Sequence, residues 1–504
     1  MTPQELTWIE DELRRAYADA SALVGDDDFG PGASVGVHAK WPVGSFGRGR
    51  PKGRWVAAAA AGVVVAAVAI TTGLIVPHLV TGGTTGSGAG TRNTPVSAAV
   101  HGMAYLSTGG PPPTGKGPFQ PSWQVTPMDL AAGTTLPPIK LGVRGNVTAM
   151  ALTPDASTLY VLTDSGYIVP VDTVTRRAGQ AVRLPGPVVD MLVSPDGRSA
   201  YILEEPGGND QNFGGIIFFS LMTHRVTEFV KDTSAFQFAL TPDGKALYVV
   251  DWSGSMVTPI DTATAKALPP IRTGVTGMSS GIAIAPNGRT AFVLTVSPAT
   301  GGGSGFVTPI GTASNKALPS TNLGPISDAE SGWGNTTQIQ VSPDSRTVVI
   351  ASDNEVAAMN AASGRVAWET ALPANGPLLQ FAISLDGQTV YALDQCSSRC
   401  PGGPAPSPLA SIGGSTLAGQ NVVYRLNTAT GQQLTPINAN TNRWDCYNIA
   451  TGADGTPYLV CAGNPRLPGS IFAMAPIDGA TGTLGKPVVF EPTWTWVGPV
   501  FTPP

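Results

Sequence analysis

The chain has 504 residues, 42% of them hydrophobic, which is enough to bury a large core. Only 12% are charged, and 62 glycines with 46 prolines exclude an all-helical protein, because both residues break helices. A net charge of −5 argues against a nucleic-acid partner, which would need a basic surface, and four histidines with four cysteines leave few ligands for a metal or redox centre.

Residues 1–54 read as a small cytoplasmic segment. Within 3–24, Leu6, Ile9, Leu13, Tyr17 and Leu23 fall near one helical face, and a helix of that length is marginal alone. From Gly25 to Gly53 the chain is glycine-rich, passes from Asp26–Asp28 into a basic cluster, and has the composition of a disordered segment. Gly32-Ala33-Ser34-Val35-Gly36 formally matches a nucleophile elbow, but no strand precedes it, so the match is read as chance.

Residues 55–80 carry no formal charge and run mostly through Ala, Val, Ile and Gly. That length spans a hydrocarbon core of about 30 Å as a helix. Lys40, Arg48, Arg50, Lys52 and Arg54 precede the run, and the next basic residue is Arg92. Basic flanks stay cytoplasmic, so the expected topology is a single-pass membrane anchor with everything after it exported. Residues 81–99 read as a flexible Gly/Thr/Ser linker to an extracytoplasmic domain over 100–504.

In that domain a turn signal recurs. It appears as Thr153-Pro154-Asp155-Ala156, Ser194-Pro195-Asp196-Gly197, Thr241-Pro242-Asp243-Gly244, Ala285-Pro286-Asn287-Gly288 and Ser342-Pro343-Asp344-Ser345. Two degenerate copies follow, Ser384-Leu385-Asp386-Gly387 and Gly452-Ala453-Asp454-Gly455. Each lies between two short apolar runs, as Phe238-Ala239-Leu240 and Leu247-Tyr248-Val249-Val250, which is a hairpin in which Pro presets φ and Gly accepts positive φ. A third run ends in a second turn, Val257-Thr258-Pro259-Ile260-Asp261-Thr262-Ala263-Thr264, and a weaker fourth follows. Four strands per unit of forty-odd residues is the period of a β-propeller blade.

These units resemble the YVTN-type propeller repeats of exported and surface proteins, over roughly 100–490, with Thr241–Gly274 nearest to the pattern. Tyr160-Val161-Leu162-Thr163, Tyr201-Ile202-Leu203-Glu204 and Tyr248-Val249-Val250-Asp251 all lack the final Asn of the tetrad. The unit from Ala357 to Glu369 is more similar to a quinoprotein-type blade.

The fold expected is therefore all-β, a propeller of seven or eight four-stranded blades. Ahead of the first hairpin, Met103–Ser107, Val125–Leu130 and Leu136–Leu141 match the second to fourth strands of a blade without its inner strand. The tail from Trp494 to Phe501 supplies an apolar strand that closes the ring as a 1+3 blade, which gives eight. Seven follows if a degenerate unit is no blade.

Long insertions fall between second and third strands at Thr108–Ser122, Glu204–Gly215, Ser297–Gly305 and Gln395–Gln420, and between fourth and first at Gly324–Asn335. All project from one face, which marks the expected binding face. Trp123, Trp252, Trp333 and Trp444, with Asn335 and Asp445, sit on or beside these connections and suit a protein, peptide or glycan ligand; packing over the loop bases is their alternative use.

Cysteines 446 and 461 flank one hairpin and Cys396 and Cys400 share one loop, so pairs 396–400 and 446–461 are expected in an exported domain, among the three connectivities possible. Metal sites and cofactors are not expected, and His101 and His224 have no companion ligands nearby in sequence. The turn aspartates, including Asp172, Asp261 and Asp478, have the spacing of side chains that bond their own turns. The function expected is a non-catalytic binding module at the cell surface. The alternative is a propeller enzyme, such as a sugar lactonase or a quinone-dependent dehydrogenase.

Overall fold

The computed structural model describes residues 102–109, 123–204, 214–232, 234–297, 303–326, 338–352, 354–373, 378–396, 420–439, 444–452, 454–463, 472–490 and 500–501. They belong to one compact unit, Ala58–Pro504. The expected cytoplasmic helix, spanning segment and linker lie outside the described residues. Among the described residues, no helix is long and apolar enough to cross a membrane.

The strands form eight separate antiparallel sheets that make an eight-bladed propeller. Blade 1 holds 103–140 with 500–501, blade 2 147–183, blade 3 188–231, blade 4 235–272, blade 5 278–326, blade 6 338–371, blade 7 378–438 and blade 8 444–490. Blade 4 shows the repeat. Its innermost strand Ala235–Leu240 pairs with Ala246–Asp251, which pairs with Met256–Asp261. The central strands, such as Tyr248 to Val250, are buried on both faces because a neighbouring blade covers each side. That is why they read as unbroken apolar runs.

The outermost strand is not continuous in blades 1, 2, 4 and 5. In blade 4 it is split into Lys266–Ala267 and Ile271–Arg272, both paired with the third strand. Pro269 and Pro270 lie in the gap, and proline has no N–H to give to a ladder. In blade 2 the gap lies at Gly179–Ala181, without a proline.

The hairpin motif holds itself. Thr241 Oγ1 donates to Asp243 Oδ1 (2.7 Å), and Asp243 Oδ1 also accepts Lys245 N–H (3.1 Å), while Gly244 takes φ of 71°. The Thr241 hydroxyl holds the Asp243 carboxyl below its ordinary range. Where glycine is missing, Ala156 and Ser345 adopt the same left-handed backbone, with φ of 54° and 63°. The hairpins also stack around the ring: a Cβ at Gly197, Gly244, Gly288 or Gly387 would meet the proline of the preceding blade's hairpin.

The tyrosine of the tetrad joins blades. Tyr160 OH donates to Leu221 O (3.3 Å) in the third-to-fourth turn of the next blade, and Tyr248 OH donates to Thr312 O (3.2 Å) and Asn315 Oδ1 (2.6 Å) in the same way. Blade 6 has Val349 in place of the tyrosine. Its outer-strand Trp368 Nε1 donates instead to Thr428 O (2.9 Å) of blade 7.

The ring closes as expected. Val500–Phe501 is the innermost strand of blade 1, with Ala104 opposite Phe501 and Tyr105 opposite Val500. Phe501 stacks on Tyr458 of blade 8, ring centroids 5.2 Å apart.

Candidate functional site: the channel and its long-loop mouth

Strand direction alternates within a blade, so innermost strands begin at the face that carries the second-to-third connections and line the central channel. In blades 2, 3, 4, 5, 7 and 8 a β-bulge interrupts this strand near its start, between Val147 and Ala149, Val188 and Asp190, Ala235 and Gln237, Ser279 and Gly281, Leu378 and Gln380, and Cys446 and Asn448. Bulges re-aim side chains. The position after the bulge is Ala149, Asp190, Gln237, Gly281, Gln380 or Asn448, and Gln338 is its equivalent in blade 6.

Side chains at this position turn toward the next blade. Gln338 Oε1 accepts Phe381 N–H (3.4 Å), Gln237 Oε1 accepts the Ser279 hydroxyl (3.5 Å), and a Cβ at Gly281 would press on Ile339. Gln340 Nε2 adds a bond to Phe381 O (2.9 Å). The amides of Gln237, Gln338 and Gln340 thus tie blade 4 to blade 5 and blade 6 to blade 7 beside the channel.

Asp190 is the one charged residue of this set. It is 6% exposed, and its only hydrogen bond among the described residues joins Oδ1 to Met191 N–H of its own strand (2.7 Å). Burial pushes its carboxyl up to about 7, with the Met191 bond only partly opposing.

At the mouth, Trp252 follows the second strand of blade 4. Its N–H donates to Ser234 O (3.1 Å) and its carbonyl accepts Ser279 N–H (2.9 Å), which fixes it between the innermost strands of blades 4 and 5. The indole is 56% exposed and rests edge-on against Phe236, the bulge residue of blade 4, with centroids 4.5 Å apart. Trp123 opens the third strand of blade 1, and Trp444 and Asp445 open the innermost strand of blade 8, so the backbones of these residues reach the same face. Trp333 and Asn335 lie outside the described residues.

The last position of the tetrad, where Asn is absent, is a polar anchor for the following connection. Asp251 accepts Ser253 Oγ (2.7 Å) and Met256 N–H (3.1 Å), Thr163 Oγ1 accepts Tyr167 N–H (3.2 Å), and Glu204 Oε2 accepts Gly214 N–H (3.2 Å). In blade 8 the position is Cys461, disulfide-bonded to Cys446 directly across the strands. The expected 396–400 pair involves Cys400, outside the described residues.

Other candidates are structural. His224 occupies a left-handed turn position, φ 52°, and its Nε2 is 3.0 Å from Tyr160 OH at the blade 2–3 joint. His101 lies outside the described residues. Asp261 accepts Thr264 Oγ1 (2.7 Å) and N–H (2.8 Å), Asp172 accepts Thr175 likewise, and Asp478 accepts Ala480 and Thr481 N–H. Among the described residues no group of three or more His, Cys, Asp and Glu could hold a metal ion. A shallow cleft between blades 5 and 6 holds Glu355, whose carboxyl is pushed up by burial and then by Glu369.

No protein-family model and no curated protein matches the chain. Among solved structures it is similar to dihydro-heme d1 dehydrogenase NirN in complex with DHE, at 12% identity and a TM-score of 0.55, over 80% of this chain and 75% of that one. It is also similar to hydrazine synthase of Kuenenia stuttgartiensis, at 14% identity and a TM-score of 0.44, over 69% of this chain and 97% of that one. At such identities the likeness is one of fold.

Proposed function

We propose that this chain is a membrane-tethered, extracytoplasmic propeller of the YVTN type that acts as a non-catalytic recognition module. It takes a protein, peptide or glycan at the long-loop mouth of its channel. The observation that carries this reading is Trp252, a large aromatic left 56% exposed beside the channel while its backbone is clasped by two blades. A rigid, exposed indole on a fixed frame is the group that binding surfaces use as an anchor. The turn carboxylates support the same reading, because their oxygens are engaged by their own turns rather than aimed at a common point. The anchor and its orientation rest on the apolar run at 55–80 and the basic residues before it.

The enzyme alternative draws on Asp190, a protonatable group in the channel wall, and on the dehydrogenase named among the similar structures. That likeness speaks to fold, and fold alone does not select a chemistry.

The test is capture from a cell-envelope extract by the full-length chain in detergent, compared with Trp252→Ala. The exposed site leaves the melting temperature of the variant unchanged, and the variant is expected to lose the components that the wild type retains. Equal capture by both overturns the reading.

A further inference from the structure

Asp190 differs from its equivalents around the channel in a way that points to a ligand. At this position the other blades have Ala149, Gln237, Gly281, Gln338, Gln380 and Asn448, all neutral. Asp190 lies directly across from Leu203, and residues directly across a strand pair share a face. Leu203 packs with Ala235 and Phe238 of blade 4, so the carboxyl faces the joint between blades 3 and 4. That wall is apolar. Among the described residues Oδ2 has no hydrogen bond and no cationic side chain pairs with Asp190.

The titratable groups on the strands packed around it are Tyr201, on the same face; Glu204, whose neighbour Leu203 turns to the opposite side; Tyr160, packed with Met191 in the joint between blades 2 and 3; Tyr248, in the joint between blades 4 and 5; and Asp251, which accepts the Ser253 hydroxyl and Met256 N–H. The innermost strands of blades 2 and 4 carry none. Along the described innermost strands the charged residues are Asp190 and Asp445, both acidic. Among the described innermost strands no lysine or arginine offers Asp190 a partner.

We propose that Asp190 anchors an ammonium group of the ligand in the channel wall between blades 3 and 4. This deepens, and rests on, the recognition-module reading. A buried carboxylate without a counter-ion is costly, and it is neutralised either by a proton or by a bound cation. An organic ammonium fits the surroundings better than a divalent metal ion, which takes several oxygen ligands and usually more than one carboxylate. Binding exchanges one cation for another: the protonated carboxyl gives its proton to buffer, and the carboxylate receives the ammonium. No bond other than O–H is broken.

The full-length chain in detergent is titrated calorimetrically at pH 7 with n-butylammonium chloride and, separately, with calcium chloride, in two buffers of different ionisation enthalpy. The expected result is butylammonium binding with release of about half a proton per ligand at pH 7, and affinity falling roughly tenfold per pH unit below 6. Asp190→Asn, which installs an amide like those of the neighbouring blades, is expected to melt no lower than the wild type and to weaken binding at least about tenfold, the loss of one charge-assisted contact. No binding, binding without proton release, or equal binding by the variant overturns the proposal. Calcium binding that needs Asp190, with no butylammonium binding, also overturns it. If butylammonium fails while capture from the envelope extract still depends on Trp252, only this inference falls. If capture ignores Trp252, the recognition reading itself has failed.

Discussion

At Gly244 the hairpin takes φ of 71°, and a Cβ added there would lie 2.9 Å from Pro195 Cδ of the preceding blade. Gly244→Ala is therefore expected to cost about 1–3 kcal/mol, through left-handed strain and overpacking together, read as a lower midpoint in urea. An unchanged midpoint would show that the joint yields freely. Asp190 carries a pH dependence whose sign follows from burial. Its carboxyl titrates near 7 when folded and near its ordinary 3.8 when unfolded. The folded state thus holds the extra proton between these values, and stability falls as pH rises from about 4 to 7. Asp190→Asn lacks this loss and is expected to gain on the wild type across that window, by at most roughly 4 kcal/mol, then to hold a constant advantage above it. Parallel stability curves for the two proteins would refute the burial argument. The sequence already showed Asp190 as a lone carboxylate in the apolar run Val188-Val189-Asp190-Met191-Leu192-Val193. Aligning the units on their innermost strands, rather than on their turns, would have exposed it.

The joints between blades explain why the repeat keeps its tyrosine while the fourth residue of the tetrad drifts. In blades 2 and 4 the tyrosine hydroxyl reaches the third-to-fourth turn of the next blade, a bond that Phe292 of blade 5 and Val349 of blade 6 do not make. The fourth residue needs only a small buried acceptor or donor for its own connection, and Thr, Asp, Glu and a disulfide all serve. Tyr248→Phe removes the bonds to Thr312 O and Asn315 Oδ1 while keeping the ring. A loss of about 1–2 kcal/mol in chemical denaturation is expected, since two acceptors lose their partner. The same change at half-buried Tyr167, whose hydroxyl among the described residues meets only Arg183 Nη1 of its own blade (3.4 Å), provides the comparison, and an equal effect there would contradict the joint's role. Blade 6, the quinoprotein-like unit, reaches the same end with Trp368, which explains how it tolerates Val349.

Ring closure is a property of the complete propeller. Phe501 is buried against Tyr458, and its strand covers the edge of Met103–Gly109. Truncation after Pro492 opens that edge, and Phe501→Ala removes only the ring. The point variant is expected to lose about 3–5 kcal/mol, and the truncated chain to melt lower still or to aggregate. Coincident melts of wild-type and truncated protein would mean that the tail is dispensable and the closure wrong. On the same scale, second-to-third connections gather on one face because antiparallel strands force them there. The connection after Pro457–Gly463 belongs with them, although its sequence did not stand out.

The repeat period, the hairpin chemistry and the 1+3 closure were readable in the chain because each rests on local rules: φ preferences of Pro and Gly, alternation along strands, and the count of strands left unpaired. The disulfide between Cys446 and Cys461 was readable for the same reason, being set by one hairpin. Exposure and partnership were not. The turn aspartates and Asp190 are the same residue type, yet the first bond their own backbone while the second is enclosed by a neighbouring blade some forty residues away in sequence. Whether Trp252 packed down or stood free likewise depended on how Phe236 of its own blade and Ser279 across the joint met it. Burial is a sum over atoms brought close by the ring, so it became definite only once the blades were placed side by side.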